Sequence, residues 1–213
     1  MTMRRRGFLS LLPALGGAAA LGGEARADDV ADALADITKA RAGLQTLVGA
    51  FTQERTIGLL ATTVKSEGEM TLVRPDRLRW ELRPPDAITY WIGPEGLAYA
   101  TPTGGSSVGK GAAGRFGAVL GDLMTLLGGD LAKLRARYDL SAQKSDGALL
   151  LGARPLAEEV KKHVKSLSLR LPANLWAVQK VEIEEVGGDR SVITFPQMQR
   201  DVRVDPARMI PPR

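Results

Sequence analysis

Leu78, Trp80 and Leu82 alternate with Arg77, Arg79, Glu81 and Arg83, and this alternation limits what the chain can become. Side chains two apart on an extended backbone share a face, so the segment predicts a strand with one apolar and one charged side. Pro75 and Pro84-Pro85 bound it, because proline offers no N–H to a ladder. A strand wet on one side fits an antiparallel sheet better than a parallel sheet buried between helices.

The same period recurs along the chain. Glu67 to Val73 turns Met70 and Leu72 inward, and Glu69 and Thr71 outward. Ile88, Tyr90 and Ile92 make the next apolar face, and Gly93-Pro94-Glu95-Gly96 turns the chain into Leu97–Ala100. Further strands are expected at Tyr138–Ala142, Ala148–Leu151, Leu167–Leu171 and Val181–Glu184, around Ile193 and Phe195, and at Val202–Val204. Gly187-Gly188-Asp189 reads as a hairpin turn. Short strands at even spacing predict a meandering antiparallel sheet or barrel.

Helices are fewer. Val30, Ala33, Leu34, Ile37, Ala40, Leu44, Leu47 and Val48 recur at three- and four-residue spacing, which predicts a helix giving way near Gly49, with a strand from Phe51. Asp28 and Asp29 suit its N-terminus. Thr101 to Gly114 is Gly- and Ser-rich and reads as a loop. From Arg115 to Leu127 a helical stripe carries Phe116, Val119, Leu120, Leu123, Met124 and Leu127; Gly128-Gly129 ends it, and Asp130 caps a short helix to about Arg135. A helical turn is expected from Leu156 to Lys162. The fold class is therefore α+β, mainly β: one sheet, an N-terminal helix and a helical insertion, in a single domain over 28–213.

Residues 1–27 read as a cleaved export signal. Arg4-Arg5-Arg6 precedes the apolar stretch Phe8 to Leu21, and Ala25-Arg26-Ala27 fits a small-x-small cleavage site, placing the mature start at Asp28. Arg5-Arg6-Gly7-Phe8-Leu9 suits a twin-arginine signal; a general secretory signal rich in arginine is the alternative. The formal charge of +5 falls to +2 without this segment, so the basic balance belongs largely to the leader and speaks against nucleic acid. A periplasmic location is expected.

Little in the chain suggests catalysis. There is no cysteine, and His163 is the only histidine, so a thiolate or histidine metal cluster is not expected. Glu158-Glu159 and Glu184-Glu185 are sequence neighbours whose side chains diverge, unlike a glycosidase pair. Gly104-x4-Gly109-Lys110 resembles a P-loop, but Gly111 stands where a hydroxyl must meet magnesium. We expect no enzyme, no cofactor and no metal.

Phe51-x-Gln53, Gly68-x-Met70, Val73-Arg74-Pro75-x-x-Leu78-x-Trp80, Pro85 and Leu97-x-Tyr99-x-x-Pro102, in that order, resemble the periplasmic outer-membrane lipoprotein carriers of the LolA family. The resemblance implies an incomplete β-barrel, a strongly bent sheet closed by a helical lid over a cavity for acyl chains. It implies a monomer that takes acylated lipoproteins or lipid from a LolCDE-type inner-membrane ABC transporter and passes them to a LolB-type outer-membrane receptor, if one is present. The expected cavity face is Met70, Leu72, Leu78, Trp80, Leu82, Ile88 and Tyr90, with Leu120, Leu123, Met124 and Leu127 from the lid. The alternative is that these residues are solid core. Arg74 takes the place of the family's lid latch, reaching carbonyls at a helix end near Gly128-Gly129; pairing with Asp76 is the other reading. The chain finishes at Pro211-Pro212-Arg213 without the family's further tail, and the stretch after Tyr99 is Gly/Ser-rich rather than aromatic. Both departures leave room for a carrier of another lipid or glycolipid, or for a module that senses lipid or lipoprotein and regulates a partner.

Overall fold

A computed structural model describes residues 27–109, 122, 124–128 and 131–212. Residues 1–26 of the expected leader, Leu120 and Leu123 of the lid, and Asp130 lie outside the described residues.

The helix α1 (Ala27–Ala40) is shorter than its stripe suggested. Gly43, at φ 75°, takes the left-handed step that ends the turn after it. Leu44 is buried past that turn, while Leu47 and Phe51 belong to β1 (Thr46–Ile57), where Leu47, Gly49 and Phe51 share the buried side. A spacing of three or four and a spacing of two coincide over so few residues, which is why the helical stripe ran on in the sequence.

The other strands are β2 (Thr62–Val73), β3 (Arg77–Leu82), β4 (Ile88–Gly93), β5 (Gly96–Thr101), β6 (Gly104–Gly109), β7 (Tyr138–Ser145), β8 (Ala148–Pro155), β9 (Val164–Leu171), β10 (Lys180–Glu185), β11 (Arg190–Thr194) and β12 (Met198–Arg200). They form one open, strongly bent antiparallel sheet in the order β6-β5-β4-β3-β2-β1-β11-β10-β9-β8-β7, with β12 paired to β1. The expected Gly/Ser loop is in part the strand β6, paired with β5 from Gly96↔Gly109 to Thr101↔Gly104. Backbone pairing needs no side chains, and Thr101 fastens the turn by donating from Oγ1 to the Gly104 carbonyl at 2.8 Å. The P-loop-like spacing thus falls on a strand. Val202 and Val204 are not in a strand: Asp201 turns at φ 56°, and Val202 stays exposed.

Register places the apolar residues together. Met70 faces Trp80, Leu72 faces Leu78, and these continue to Tyr90 and Ile92 on β4. The inner face so formed is covered by α1, by helical residues 124–128 and by the 3-10 turn Leu131–Ala136. The outer face carries ion pairs: Arg79 with Glu81 at 2.7 Å, and Arg208 with Glu69 at 2.7 Å. A short helix α2 (Glu158–Lys161) links β8 to β9.

Candidate functional site

Three rings occupy the centre of the inner face. Phe51 stacks on Trp80 with centroids 3.9 Å apart, and Phe195 stands 6.1 and 6.2 Å from the two of them. Gly68, opposite Phe51 in the ladder, makes the stack possible: a Cβ there would lie 2.4 Å from Phe51 Cζ. Around the rings Met70, Leu72 and Leu78 are exposed by no more than 1%. Farther out on the same face Leu82 and Tyr90 are only partly buried, as is Ile88, and Tyr99 is 38% exposed. The expected cavity residues on the strands therefore share one face but differ in cover.

The lid segment closes tightly over the covered part. Leu126 and Leu127 are buried, and Met124 packs against the core from a partly buried position. A Cβ on Gly128 would stand 2.0 Å from Leu72 Cδ2, so the segment seats on β2 through a missing side chain. Beneath it a void of about 10 Å³, lined in part by Asp122, Leu126, Tyr138 and Val181, has room for about one water. A wider cleft of about 300 Å³ lies on the opposite, outer face, bordered by Trp91, Ala98, Ser107, Met209 and Pro211. Trp91 lines it and donates from Nε1 to the Arg208 carbonyl at 2.9 Å.

Two polar fastenings hold the segment. Asp122 is buried and accepts from Arg137 Nη1 and from the Tyr138 hydroxyl, each at 2.5 Å. Burial pushes the Asp122 carboxyl above its ordinary range, against the pull of Tyr138 and Arg137, and burial with the Asp122 contact raises the Tyr138 hydroxyl. The second fastening is Arg41, whose Nη2 donates to the Leu126 carbonyl at 3.0 Å. Arg41 is 2% exposed, and its Nε and Nη1 have no hydrogen-bond partner among the described residues. Desolvation, with the neighbouring Arg74 charge adding to it, lowers its pKa to about 10.

Arg74 donates from Nη1 to the Arg41 carbonyl at 2.9 Å and to the Leu44 carbonyl at 3.4 Å. These carbonyls follow the end of α1, where the helix dipole is negative. Among the described contacts Arg74 thus braces the turn that carries Arg41, and Arg41 reaches the lid backbone. The sequence did hold a sign of Arg41: it continues the Val30, Leu34, Ile37 series by four residues, a charge on the buried stripe of α1.

The family of the "Outer membrane lipoprotein carrier protein LolA" matches residues 42–90, the stretch that supplies Phe51, Gly68, Arg74 and Trp80. Over that stretch the chain resembles the LolA carriers. Three residues that carry the resemblance meet, the stacked rings of Phe51 and Trp80 and the glycine that admits them, while Arg74 braces the turn after α1. An outer-membrane lipoprotein carrier protein of Alkalilimnicola ehrlichii is 28% identical over 182 residues, 82% of this chain and 77% of that protein. An uncharacterized conserved protein of Thermus thermophilus shares the fold at 8% identity and a TM-score of 0.50, covering 86% of this chain and 94% of that one. A LolA superfamily protein of Nitrosomonas europaea aligns with a TM-score of 0.40 at 10% identity, over 81% and 94% of the two chains. No group of three or more potential metal-ligating side chains occurs among the described residues, and no described helix is long and apolar enough to cross a membrane.

Proposed function

We propose that residues 28–213 form a periplasmic carrier that shelters the acyl chains of lipoproteins, after removal of the leader, and ferries them from the inner to the outer membrane. The observation that carries this is the fastening of the lid segment through Arg41. A permanent core gains nothing from a desolvated guanidinium with two unpartnered nitrogens, since apolar side chains of similar size are as stable or more so. A cover that must leave has a use for it: one charge-assisted bond, worth about 1.5–3 kcal/mol, holds the segment down, and hydration of the guanidinium favours release. Beneath lie the rings and aliphatic side chains of the inner face, which offer area to an acyl chain at about 0.8 kcal/mol per methylene. The partly buried Leu82, Ile88 and Tyr90, with the exposed Tyr99, form the margin where a chain first enters. The match to residues 42–90 and the name of the Alkalilimnicola relative support the same reading.

In this reading Arg41 is the latch and Arg74 its positioning residue, while transfer proceeds from a LolCDE-type transporter to a LolB-type receptor. The test is purification from the native host followed by mass spectrometry of what accompanies the protein. Triacylated or diacylated lipoproteins in stoichiometric amount are expected. A glycolipid in their place would make the protein a carrier of that lipid, and an empty protein bound stably to a regulatory partner would make it a sensor.

A further inference from the structure

Most large apolar side chains among the described residues are inside, yet two consecutive leucines stand out in solvent. Leu59 is 91% exposed and Leu60 65%, in the 3-10 turn Gly58–Leu60 that joins β1 to β2. Val64 on β2 is 44% exposed, and Val186, beyond β10, is 57% exposed. The two turns meet: a Cβ on Gly58 would lie 2.6 Å from the Gly188 carbonyl oxygen. Leu59 and Leu60 thus form an apolar tip whose base rests on the neighbouring turn.

The prominence is held in place. Asp189 accepts from the Gly58 amide at 3.1 Å through Oδ1 and from Arg55 at 2.9 Å through Oδ2. Ala61 closes the turn in the left-handed region at φ 48°. The backbone thus fixes the two leucines outward, although a hairpin turn is ordinarily polar.

Charge indicates what meets them. From Thr56 to Val64 the chain has no charged residue. At the foot of this stretch the charges are matched in pairs: Lys65 with Glu54 at 2.7 Å, Arg55 with Asp189 at 2.9 Å and with Glu185 at 3.1 Å. An uncharged convex tip above a balanced ionic collar fits the layered polarity of a bilayer surface, apolar a few ångströms below the headgroups and zwitterionic among them. The tip is also far from the lid: the strand from Phe51 to Ile57 alone spans about 20 Å.

We propose that the Leu59-Leu60 tip is a membrane-docking element that inserts shallowly into a lipid bilayer and holds the carrier there while cargo passes. The proposal rests on the lipid-carrier reading for its purpose but not for its physics. Attraction is hydrophobic rather than electrostatic, so docking depends little on the headgroup charge.

The absence of cysteine allows a single-site probe. Leu59→Cys carrying an environment-sensitive fluorophore is mixed with phosphatidylcholine vesicles and with vesicles of phosphatidylethanolamine and phosphatidylglycerol. The expected result is a blue-shifted, brighter emission with both, unchanged by added salt. In flotation, the Leu59→Ser/Leu60→Ser double variant should lose vesicle partition at least about tenfold relative to wild type. Equal flotation of the two proteins, or an unshifted probe, overturns the proposal, as does a probe that responds to a purified protein receptor but not to vesicles. Binding of a fluorescent fatty acid to the inner face, measured on the same proteins, separates the two readings. The double variant should bind it as wild type does. If no protein binds it while the wild type still floats, the carrier reading fails and the docking tip stands.

Discussion

The inner face of the sheet has two halves that the same strands build. On β3, Leu78 and Trp80 are 0% and 3% exposed, whereas Leu82, two residues on, is only partly buried. On β4 the gradient runs the same way, from Ile92 at 9% toward the half-buried Tyr90 and Ile88. Alternation is identical in both halves, so it cannot be the cause. The cover is: residues 124–128 and Phe195 lie over one half, and they leave the other partly open. The comparison teaches that period two fixes which side a residue faces, while depth is set by what the rest of the chain lays over it.

The largest expected effect tests this contrast directly. Phe51→Ala should cost about 3–5 kcal/mol in urea unfolding, as a ring leaves a closed stack. Leu82→Ala, on the open half, should cost only about 1 kcal/mol while weakening fatty-acid binding. Equal costs would mean that the two halves are packed alike.

A smaller effect is expected at the seat of the lid. Gly128→Val would force Leu72 or the helical segment aside, at about 1–3 kcal/mol, and should speed amide exchange at residues 124–128. Unchanged exchange would show that the segment does not depend on this close approach.

Arg41→Met removes the buried charge and keeps the volume. Stability should stay within about 1 kcal/mol of wild type or rise, because the desolvation cost goes with the bond. The pH dependence sharpens this. The folded-state pKa of Arg41 is lowered to about 10, below its ordinary value, so the unfolded chain holds more protons as pH rises past 10. Wild-type stability should therefore gain with pH in that window relative to the variant. A loss of several kcal/mol in the variant would instead make Arg41 a required part of the closed core.

The smallest effect belongs to Asp122. Its carboxyl is raised above the ordinary 3.8, so its burial favours the folded state at acid pH, and this contribution is lost as pH rises through the window above 3.8. Asp122→Asn should remove that slope, seen as the pH dependence of the difference in stability from wild type. A difference that does not vary with pH would mean that the carboxyl titrates normally.

Much of this was legible. The alternation in β2 to β5 and in β9 to β11 named the strands and their inner faces, and the Phe51, Gly68 and Trp80 pattern pointed to the family. Three things were not. The end of α1 was hidden because Leu44 and Leu47 continue its spacing. The strand β6 was hidden because glycine and serine carry no pattern for a strand that pairs through its backbone alone. The role of Arg41 was hidden because a charge on a buried stripe signals only an exception, not its partner.

By itself the sequence determined which residues face inward, since two-residue periodicity is a property of the extended backbone and needs no neighbours. It also held Phe51, Gly68 and Trp80 in the family's order, but that the two rings stack over the glycine is a tertiary contact. Only the tertiary structure decided how deep each inward residue lies and which arginine meets the lid. Those depend on segments distant in sequence: Leu126 lies 85 residues from Arg41. A hydrogen bond to a backbone carbonyl leaves no trace in the identity of the residue that supplies it.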